Sequence, residues 1–377
     1  MEDGRKTPFY EEHCRLNAKI INFNGWLMPV EYTGIIPETE ATREKAGLFD
    51  VSHMGNIMVS GGDARHFLQG ILTNDLDKLA PGQASCALIC QHDGGTIDDL
   101  LVYCLDEESF LLVVNAVNTE VDFNWLHQQL EKDKKEGEGN EVSVEDVTLD
   151  YAAVALQGPS SQDILEELTA SSFSHLRSFR FLSGVELAGV NCLVSRTGYT
   201  GEDGFEVFCS PEEATVLWKA IWEAGQKENR GLTAAGLGAR GLLRLEASMP
   251  LYNQEISREI TPLEAGLHRF VALNKETPFV GQEALHKQQK EGLKRKLAGL
   301  EMLKRGVPRE GYPVMLGEEE IGWVSSGSYS PNLKKPIAMA FLPPEKAVPG
   351  TEVDIVIRGK KYPCQVVQIP FYRRERR

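Results

Sequence analysis

The sequence predicts an α+β fold that ends in a smaller all-β domain, and three observations carry this prediction. Strand-like and helix-like segments alternate up to about residue 290. A shift of 97 residues, from Gly61 to Gly158, superimposes one strand, glycine and helix pattern on another. Beyond Leu297 the chain changes to short β-prone runs separated by glycine and proline.

The repeated pattern reads GNIMVSGGDARHFLQGIL in its first copy and YAAVALQGPSSQDILEEL in its second. Each copy predicts a strand, a glycine turn and a short helix. The same shift lays Phe67 on Ile164, and Pro159 suits a first helical position. We therefore predict an internal duplication of a βαβ-type unit.

Two charged stretches separate these parts of the chain. Residues 131–146, EKDKKEGEGNEVSVED, are polar and predict a solvated loop or linker. HKQQKEGLKRKL predicts a second connector, and the β-prone runs after it predict a barrel or sandwich of about 80 residues.

Composition excludes several classes of protein. The 377 residues carry a net charge of −15, which disfavours nucleic acid and an anionic membrane surface as partners. The sequence has neither a bilayer-spanning apolar run nor a signal-peptide pattern at its start, so we expect a cytoplasmic protein. The seven cysteines form no CxxC pair and no metal-ligand pattern, so we expect reduced thiols and no metal.

Two carboxylates lie in apolar strands that follow glycine turns. In GGTIDDLLVY, Asp98 and Asp99 point to opposite faces, so at most one of them faces any given cavity. In VSRTGYTGEDGFEVF, Glu206 lies between Phe205 and Val207. Carboxylates are rarely buried without a partner or a task, so Asp99 and Glu206 predict a shared polar pocket.

Three other candidate residues each allow both a functional and a purely structural interpretation from the sequence alone. Arg240, in AAGLGARGLLRLEA, either clamps a carboxylate or forms an ion pair with Glu246 or solvent contacts. His53, in DVSHMG, has no second His or Cys nearby, which favours a histidine bonded to the backbone over a base or ligand. Met54 is a core residue by default, or it lines a ligand cavity.

Taken together, several motifs resemble the glycine cleavage system T-protein family along nearly the whole chain. The most specific are GLFDVSHMG and SRTGYTGEDGFEV, and the others are GWLMPVEY, LTNDL, GGTIDDLLVY, VVNAVN, ALQGP, AAGLGARGLLRLEA, ITPLEAGL, FVGQEAL and PFYR.

The resemblance implies three domains arranged as a cloverleaf around a central folate cavity. Two are α+β domains, one formed by residues 1–52 with 147–285 and the other by residues 53–146. The third is a C-terminal β-barrel over residues 286–377.

The resemblance also implies a tetrahydrofolate-dependent aminomethyltransferase. Such an enzyme takes an aminomethyl group from the dihydrolipoyl arm of the partner H-protein, gives the methylene to tetrahydrofolate and releases ammonia. Asp99 matches the catalytic aspartate of the family, and Asp98 is then expected to face away, bonded to backbone or solvent. The residues implied to bind folate are Met54, Asp99, Tyr103, Asn115, Tyr199, Glu206, Arg240 and, at the C-terminus, Arg377.

One departure from the family leaves alternatives open. The family usually has a tyrosine in the strand before the glycine turn, where this chain has Cys86. Loss of that phenol keeps a tetrahydrofolate-dependent N-, O- or S-demethylase as an alternative. A non-catalytic folate-binding protein is a further one. The iron–sulfur assembly factor of this fold is disfavoured because PLYNQEI lacks its cysteine.

Overall fold

A computed structural model describes residues 4–137, 141–227 and 230–374 of the chain. Within these residues it has an α+β fold with three open sheets and one closed barrel, which confirms the predicted class. The helices are α1 Tyr10–Arg15, α2 Ile35–Glu44, α3 Ala64–Gln69, α4 Thr119–Glu136, α5 Ser161–Glu166, α6 Ala214–Gly225, α7 Leu237–Glu246 and α8 Gln282–Glu291.

The strands of the open sheets lie in the first two thirds of the chain. They are β1 Arg5–Lys6, β2 Lys19–Phe23, β3 Trp26–Glu31, β4 Ala46–Asp50, β5 Gly55–Ser60, β6 Gln83–Cys90, β7 Thr96–Cys104, β8 Ser109–Val114, β9 Ser143–Asp146, β10 Ala152–Gln157, β11 Phe181–Leu187, β12 Val190–Ser195, β13 Gly204–Cys209 and β14 Leu232–Ala234. The barrel strands are β15 Lys296–Met302, β16 Pro313–Leu316, β17 Glu319–Ser330, β18 Lys335–Leu342, β19 Glu352–Ile357 and β20 Lys360–Val367.

The sheets have the orders β1-β3-β2, β11-β12-β13-β10-β4-β14 and β6-β7-β8-β5-β9, and the barrel closes as β15-β18-β17-β16-β19-β20. Single turns of 3₁₀ helix cover Leu76–Lys78, Thr148–Asp150, Pro211–Glu213 and His268–Phe270. The small all-β domain predicted at the end of the chain is therefore confirmed as a six-stranded barrel.

The internal duplication is visible in the elements themselves. The 97-residue shift lays β5 on β10 and α3 on α5 residue for residue, and Gly61 and Gly158 both have φ of 120°. A Cβ at Gly158 would lie 2.5 Å from the carbonyl oxygen of Thr42, so this turn requires glycine. Each repeated strand is the central member of three antiparallel strands, β8-β5-β9 and β13-β10-β4.

That pairing corrects the prediction of a βαβ-type unit. A helix of six residues spans about 9 Å, whereas a strand of six residues spans about 20 Å. The helix is too short to carry the chain back for a parallel crossover. Each strand is therefore paired by antiparallel neighbours.

The prediction that the two charged stretches are loops is also partly wrong. The α4 helix runs through residues 131–136 and ends at Gly137, which has a left-handed φ of 90°. The β9 strand covers residues 143–146 and α8 covers residues 282–291. Charged residues suit the solvent face of a helix, where Glu131 and Lys135 also have the favourable i,i+4 order. Composition alone does not separate such a helix from a linker.

Contact density divides the chain into two compact units. The first comprises residues 1–67, 76–85 and 100–241, and the second comprises residues 68–75, 86–99 and 242–377. The six-stranded sheet lies in the first unit and the barrel lies in the second. The three-domain division and the central cavity stay predictions.

The six-stranded sheet supports the main core of the first unit. One face of α6 packs on it through Leu217, Trp218 and Ile221, which are fully buried at helical spacing. Every residue of β10 and β13 is buried. A charged side chain in either strand therefore needs a polar partner.

Candidate active site

Glu206 is the charged residue of the buried strand β13. It lies opposite Ala155 of β10 and Ser195 of β12, and its side chain is 8% exposed. Thr197 Oγ1 lies 2.6 Å from its Oε2. Among the described residues, no group donates a hydrogen bond to its Oε1. One oxygen is therefore oriented by the protein, and the other has its full accepting capacity available for a ligand.

A buried chain of two hydroxyl groups, from Tyr103 to Thr197, hydrogen-bonds to this carboxylate on its Oε2 side. Thr197 has one hydroxyl proton, which goes to Glu206 because a carboxylate only accepts. The phenol oxygen of Tyr103 lies 3.2 Å from Thr197 Oγ1 and donates to it. Tyr103 is fully buried between Phe181 and Phe208, with ring centroids at 5.3 and 5.8 Å. Its position supports Glu206 through Thr197.

Arg240 and Tyr199 form a second polar feature of the first unit. The Cζ of Arg240 lies 5.0 Å from the ring centroid of Tyr199, within the range of a cation–π contact. Burial lowers the pKa of Arg240, and the charges of Glu206 and Tyr199 oppose that shift. Nη1 of Arg240 is buried and has no hydrogen-bond partner among the described residues. A donor is therefore available within electrostatic reach of Glu206.

His53 does not match the interpretation of a backbone-bonded histidine. Its side chain is buried, and Nδ1 has no hydrogen-bond partner within the part of the chain that the structure describes. Burial lowers the pKa of His53 to about 4; the charge of Asp50 opposes the shift and that of Arg240 adds to it. His53 is therefore a neutral imidazole at neutral pH.

The residues before His53 are held by a buried network around Asp50. Its Oδ2 lies 2.9 Å from Nε2 of His13 and accepts from Thr7 Oγ1 at 2.6 Å, and its Oδ1 accepts from the Ser52 amide at 2.9 Å. Burial by itself raises the pKa of Asp50, but His13, Thr7 and the Ser52 amide outweigh it, so the pKa is lowered. This network fixes the backbone that presents His53.

The glycine-rich loop between β12 and β13 is anchored by residues that the sequence analysis missed. Gln157 is fully buried, accepts from Thr200 Oγ1 at 2.9 Å and donates to the Thr197 carbonyl at 3.1 Å. Arg43 donates to the Thr200 carbonyl and pairs with Glu202 at 2.9 Å. The threonine hydroxyls in RTGYT could have indicated that this loop is anchored. A hydroxyl in a glycine turn commonly bonds nearby backbone or side-chain groups.

The two adjacent aspartates differ in burial. Asp98 is fully buried and Asp99 is half-buried on the other face of β7, as the strand alternation predicts. Asp98 therefore does not face solvent, which corrects that part of the expectation. Asp99 belongs to the second unit and Glu206 to the first, so their shared pocket stays a prediction.

The remaining predicted residues are placed as follows. Met54 and Asn115 are half-buried in the first unit. Cys86 is half-buried in β6, and its carbonyl accepts from Asn74 Nδ2 at 2.8 Å. Arg377 lies outside the described residues. The folate contacts of these residues stay predictions.

The described residues contain no metal-binding cluster, no disulfide and no helix able to span a membrane. No group of three or more His, Cys, Asp or Glu side chains in residues 4–137, 141–227 and 230–374 is arranged to hold a metal ion. All seven cysteines lie in these ranges and none forms a disulfide. Within the same ranges, no helix combines the length and apolar character needed to cross a membrane.

Comparison with known proteins gives matches along the whole chain. Residues 9–275 match the model of the GCVT N-terminal domain, and residues 295–373 match the glycine cleavage T-protein C-terminal barrel domain. The chain is 50% identical over 370 residues to a protein of Geobacillus kaustophilus strain HTA426 named Aminomethyltransferase, covering 98% of this chain and 99% of the relative.

Two further comparisons agree with these matches. A protein of the same name from Desulfitobacterium hafniense strain Y51 is 48% identical over 375 residues, with coverage of 100% of each chain. The crystal structure of glycine cleavage system aminomethyltransferase T from Bartonella henselae is 33% identical, with a TM-score of 0.88 and 98% of each chain covered.

Proposed function

The chain belongs to the glycine cleavage T-protein family, and from that premise we propose that it is the aminomethyltransferase of a glycine cleavage system. Its donor is the aminomethyl group on the dihydrolipoyl arm of an H-protein. Its acceptor is tetrahydrofolate, and ammonia is the second product.

The observation that carries the folate part of the proposal is the state of Glu206. This buried carboxylate has Oε2 held by Thr197 at 2.6 Å, and Oε1 accepts nothing from the described residues. A carboxylate oxygen can accept two hydrogen bonds, so Oε1 and the second lone pair of Oε2 can accept from two adjacent N–H groups, such as the ring N–H and exocyclic amine of a pterin. The acceptor oxygens of Glu206 therefore fit the adjacent N–H groups of the tetrahydrofolate ring.

Aromatic and soft side chains support the same interpretation. Tyr199 and Met54 are half-buried, so each keeps a surface against which a planar ring can pack. The guanidinium of Arg240 lies over Tyr199 and fixes that ring from one side. Asn115 is proposed to bind the ring edge or the reacting centre, and Arg377 the distal part of folate.

Asp99 is proposed as the catalytic residue. Bound tetrahydrofolate would supply two nitrogens to the methylene carbon: one would displace the amine, which leaves as ammonia, and the other would displace the lipoyl sulfur, which leaves as the thiol of the dihydrolipoyl arm. A half-buried carboxylate can orient these nitrogens, stabilise the positive charge that develops on the departing amine and move a proton to it. Binding both reactants at one site further converts an encounter of two molecules into a nearly unimolecular step.

The alternatives raised by Cys86 receive no specific support. The two relatives reported above are named Aminomethyltransferase, and this chain matches them over almost their full length. These matches favour aminomethyl transfer over demethylation. A cytoplasmic location, based on cysteine usage, remains a prediction.

The test is ammonia release from aminomethylated, lipoylated H-protein in the presence and absence of tetrahydrofolate. We expect ammonia and methylenetetrahydrofolate to form in equal amounts, and only slow ammonia release without folate. Transfer to folate from an N-methyl donor such as dimethylglycine, with no reaction of H-protein, would assign the chain to the demethylases instead.

A further inference from the structure

Three segments at one end of the C-terminal barrel are basic. They are residues 303–309, which follow β15, residues 330–335, around the turn between β17 and β18, and residues 356–361, around the turn between β19 and β20. Together these segments contain eight Lys or Arg residues and no Asp or Glu, in a chain that has 40 basic and 55 acidic residues. Charge is therefore sorted at this end of the barrel, against the acidic balance of the whole protein.

Strand pairing brings the three segments to the same end. The end of β15 pairs with the start of β18, where Glu301 lies opposite Ile337. It also pairs with β20, and the amide of Leu303 donates to the carbonyl of Pro363 at 2.9 Å. The chain after β15 therefore begins beside the first residues of β18 and of β20.

Further contacts hold residues 303–309 between the two turns. A Cβ at Gly306 would lie 3.1 Å from side-chain atoms of both Ile357 and Tyr362, so this glycine packs directly on the β19–β20 hairpin. On the other side, Arg309 Nη1 donates to the carbonyl of Gly327 in β17 at 3.4 Å. The three basic segments therefore form one surface, which we call the basic barrel end.

Most of the positive charge on the basic barrel end is unpaired. Lys335 pairs with Glu301 at 2.8 Å, and Lys361 pairs with Glu318 at 2.6 Å. Glu310, directly after the first segment, accepts from a glutamine side chain at 3.0 Å. Six other basic residues are exposed and have no ion-pair partner in the part of the chain that the structure describes: Lys304, Arg305, Arg309, Lys334, Arg358 and Lys360.

Exposed apolar side chains accompany these charges. Leu303 is 51% exposed and Val307 36%, and Tyr329, directly before the second segment, is 40% exposed. Apolar and aromatic residues beside arginine are typical of the contact surfaces between proteins. The net charge of −15 disfavours a nucleic acid or an anionic membrane, because either would extend beyond the basic barrel end by more than the screening length of about 8 Å. A compact acidic protein fits this surface better.

We propose that the basic barrel end docks an acidic surface of the lipoylated H-protein. This inference rests on the proposed function and deepens it, because the H-protein is the one protein partner that the proposed reaction requires. Arginine side chains can pair with carboxylates in bidentate geometry, and the unpaired charges accelerate association. The basic barrel end thus contributes to the affinity for the H-protein and takes no part in the chemical step.

The test measures ammonia release at saturating tetrahydrofolate while the concentration of aminomethylated, lipoylated H-protein is varied. A combined variant, Lys304→Glu with Arg305→Glu and Arg358→Glu, should raise the KM for H-protein by about tenfold or more. Its kcat and its KM for tetrahydrofolate should stay within about twofold of the wild type. Added salt should raise the wild-type KM for H-protein and narrow the difference, because salt screens exposed charges.

Matched variants separate docking from total charge and from folding. Lys132→Glu with Lys134→Glu and Lys135→Glu, on the exposed side of α4, makes the same change of charge in the first unit and should leave the KM for H-protein unchanged. Leu303→Asn keeps the charge and should raise that KM by about three- to tenfold, as for loss of an apolar interface contact. Leu149→Asn, at a leucine that is 67% exposed, is its control.

The outcomes distinguish this inference from the proposed function. An unchanged KM for H-protein in the combined variant, or an equal rise in the α4 variant, overturns the inference alone. Wild-type binding to phosphatidylglycerol vesicles or to duplex RNA that the combined variant loses, with an unchanged KM for H-protein, also overturns it and assigns the surface to those polyanions. Failure of the wild type to release ammonia from H-protein overturns the proposed function as well.

Discussion

Thr197 and Glu206, nine residues apart in the chain, are joined by a hydrogen bond of 2.6 Å inside the first unit. The glycine-rich loop between β12 and β13 turns the chain back so that the threonine hydroxyl faces the strand carboxylate. The carboxylate is thereby held in one orientation, with Oε2 toward the protein. This contact explains how a buried strand tolerates a charged residue.

Glu206→Gln should weaken tetrahydrofolate binding by about 1–3 kcal/mol, the usual cost of losing a hydrogen bond to a charged group. The amide keeps the size of the side chain but can present only one acceptor oxygen. Calorimetry measures the affinity, and Glu213→Gln on the same chain serves as a control in the 3₁₀ turn that follows β13. Equal affinity of Glu206→Gln and wild type would contradict the role assigned to Glu206.

Thr197→Val should weaken folate binding although Thr197 is not assigned to touch the ligand. Valine keeps the branched shape but leaves Glu206 Oε2 without the Thr197 donor, which should also lower the free energy of unfolding by about 1–3 kcal/mol. Thr197→Ser keeps the hydroxyl and should restore most of both losses. Denaturant unfolding measures the stability of the two variants, and calorimetry measures their folate affinity. A serine variant as defective as the valine variant would contradict the role assigned to the Thr197 hydroxyl.

Asp99→Asn should reduce turnover by at least about 100-fold, as is usual for loss of a group that acts in general acid–base catalysis. The fold should remain intact, because asparagine has the same shape and the site is half-buried. Ammonia release coupled to H-protein measures turnover, and Asp163→Asn, on the exposed side of α5, is the matched control. Turnover within twofold of wild type would remove Asp99 from the mechanism.

His53 should make the stability of the protein depend on pH below neutrality. Its pKa is about 4 in the folded chain and 6.5 in the unfolded chain, so the unfolded state takes up the proton first as the pH falls. The stabilising contribution of neutral His53 is fully present above pH 6.5 and is lost as the pH falls toward 4, by up to ~3 kcal/mol.

Removing that histidine isolates its effect from those of the carboxylates. His53→Gln should show a flatter dependence of unfolding free energy on pH between 6.5 and 4, and the exposed His92→Gln should keep the wild-type slope. Chemical denaturation at a series of pH values provides the measurement. Parallel curves for wild type and His53→Gln would show that His53 titrates normally.

Local sequence pattern determined much of this protein. The 97-residue repeat located β5, α3, β10 and α5, since hydrophobic spacing and a glycine turn are properties of neighbouring residues. The terminal all-β domain followed from short β-prone runs between glycine and proline, which left a barrel or a sandwich open until the structure showed a barrel. The charge pattern of residues 131–136 led to the wrong prediction of a linker, because an exposed helix and a solvated linker can have the same composition.

The sequence by itself therefore determined the fold class, the duplication and Glu206 as a carboxylate in an apolar strand. Only the tertiary structure decided the antiparallel pairing, the burial of Asp98, the support of Glu206 by Thr197 and Tyr103, and the unpartnered nitrogen of His53. The physical reason is that these properties depend on partners far apart in the chain. Whether a buried polar atom is satisfied is a property of its neighbours in space, which a linear pattern does not contain.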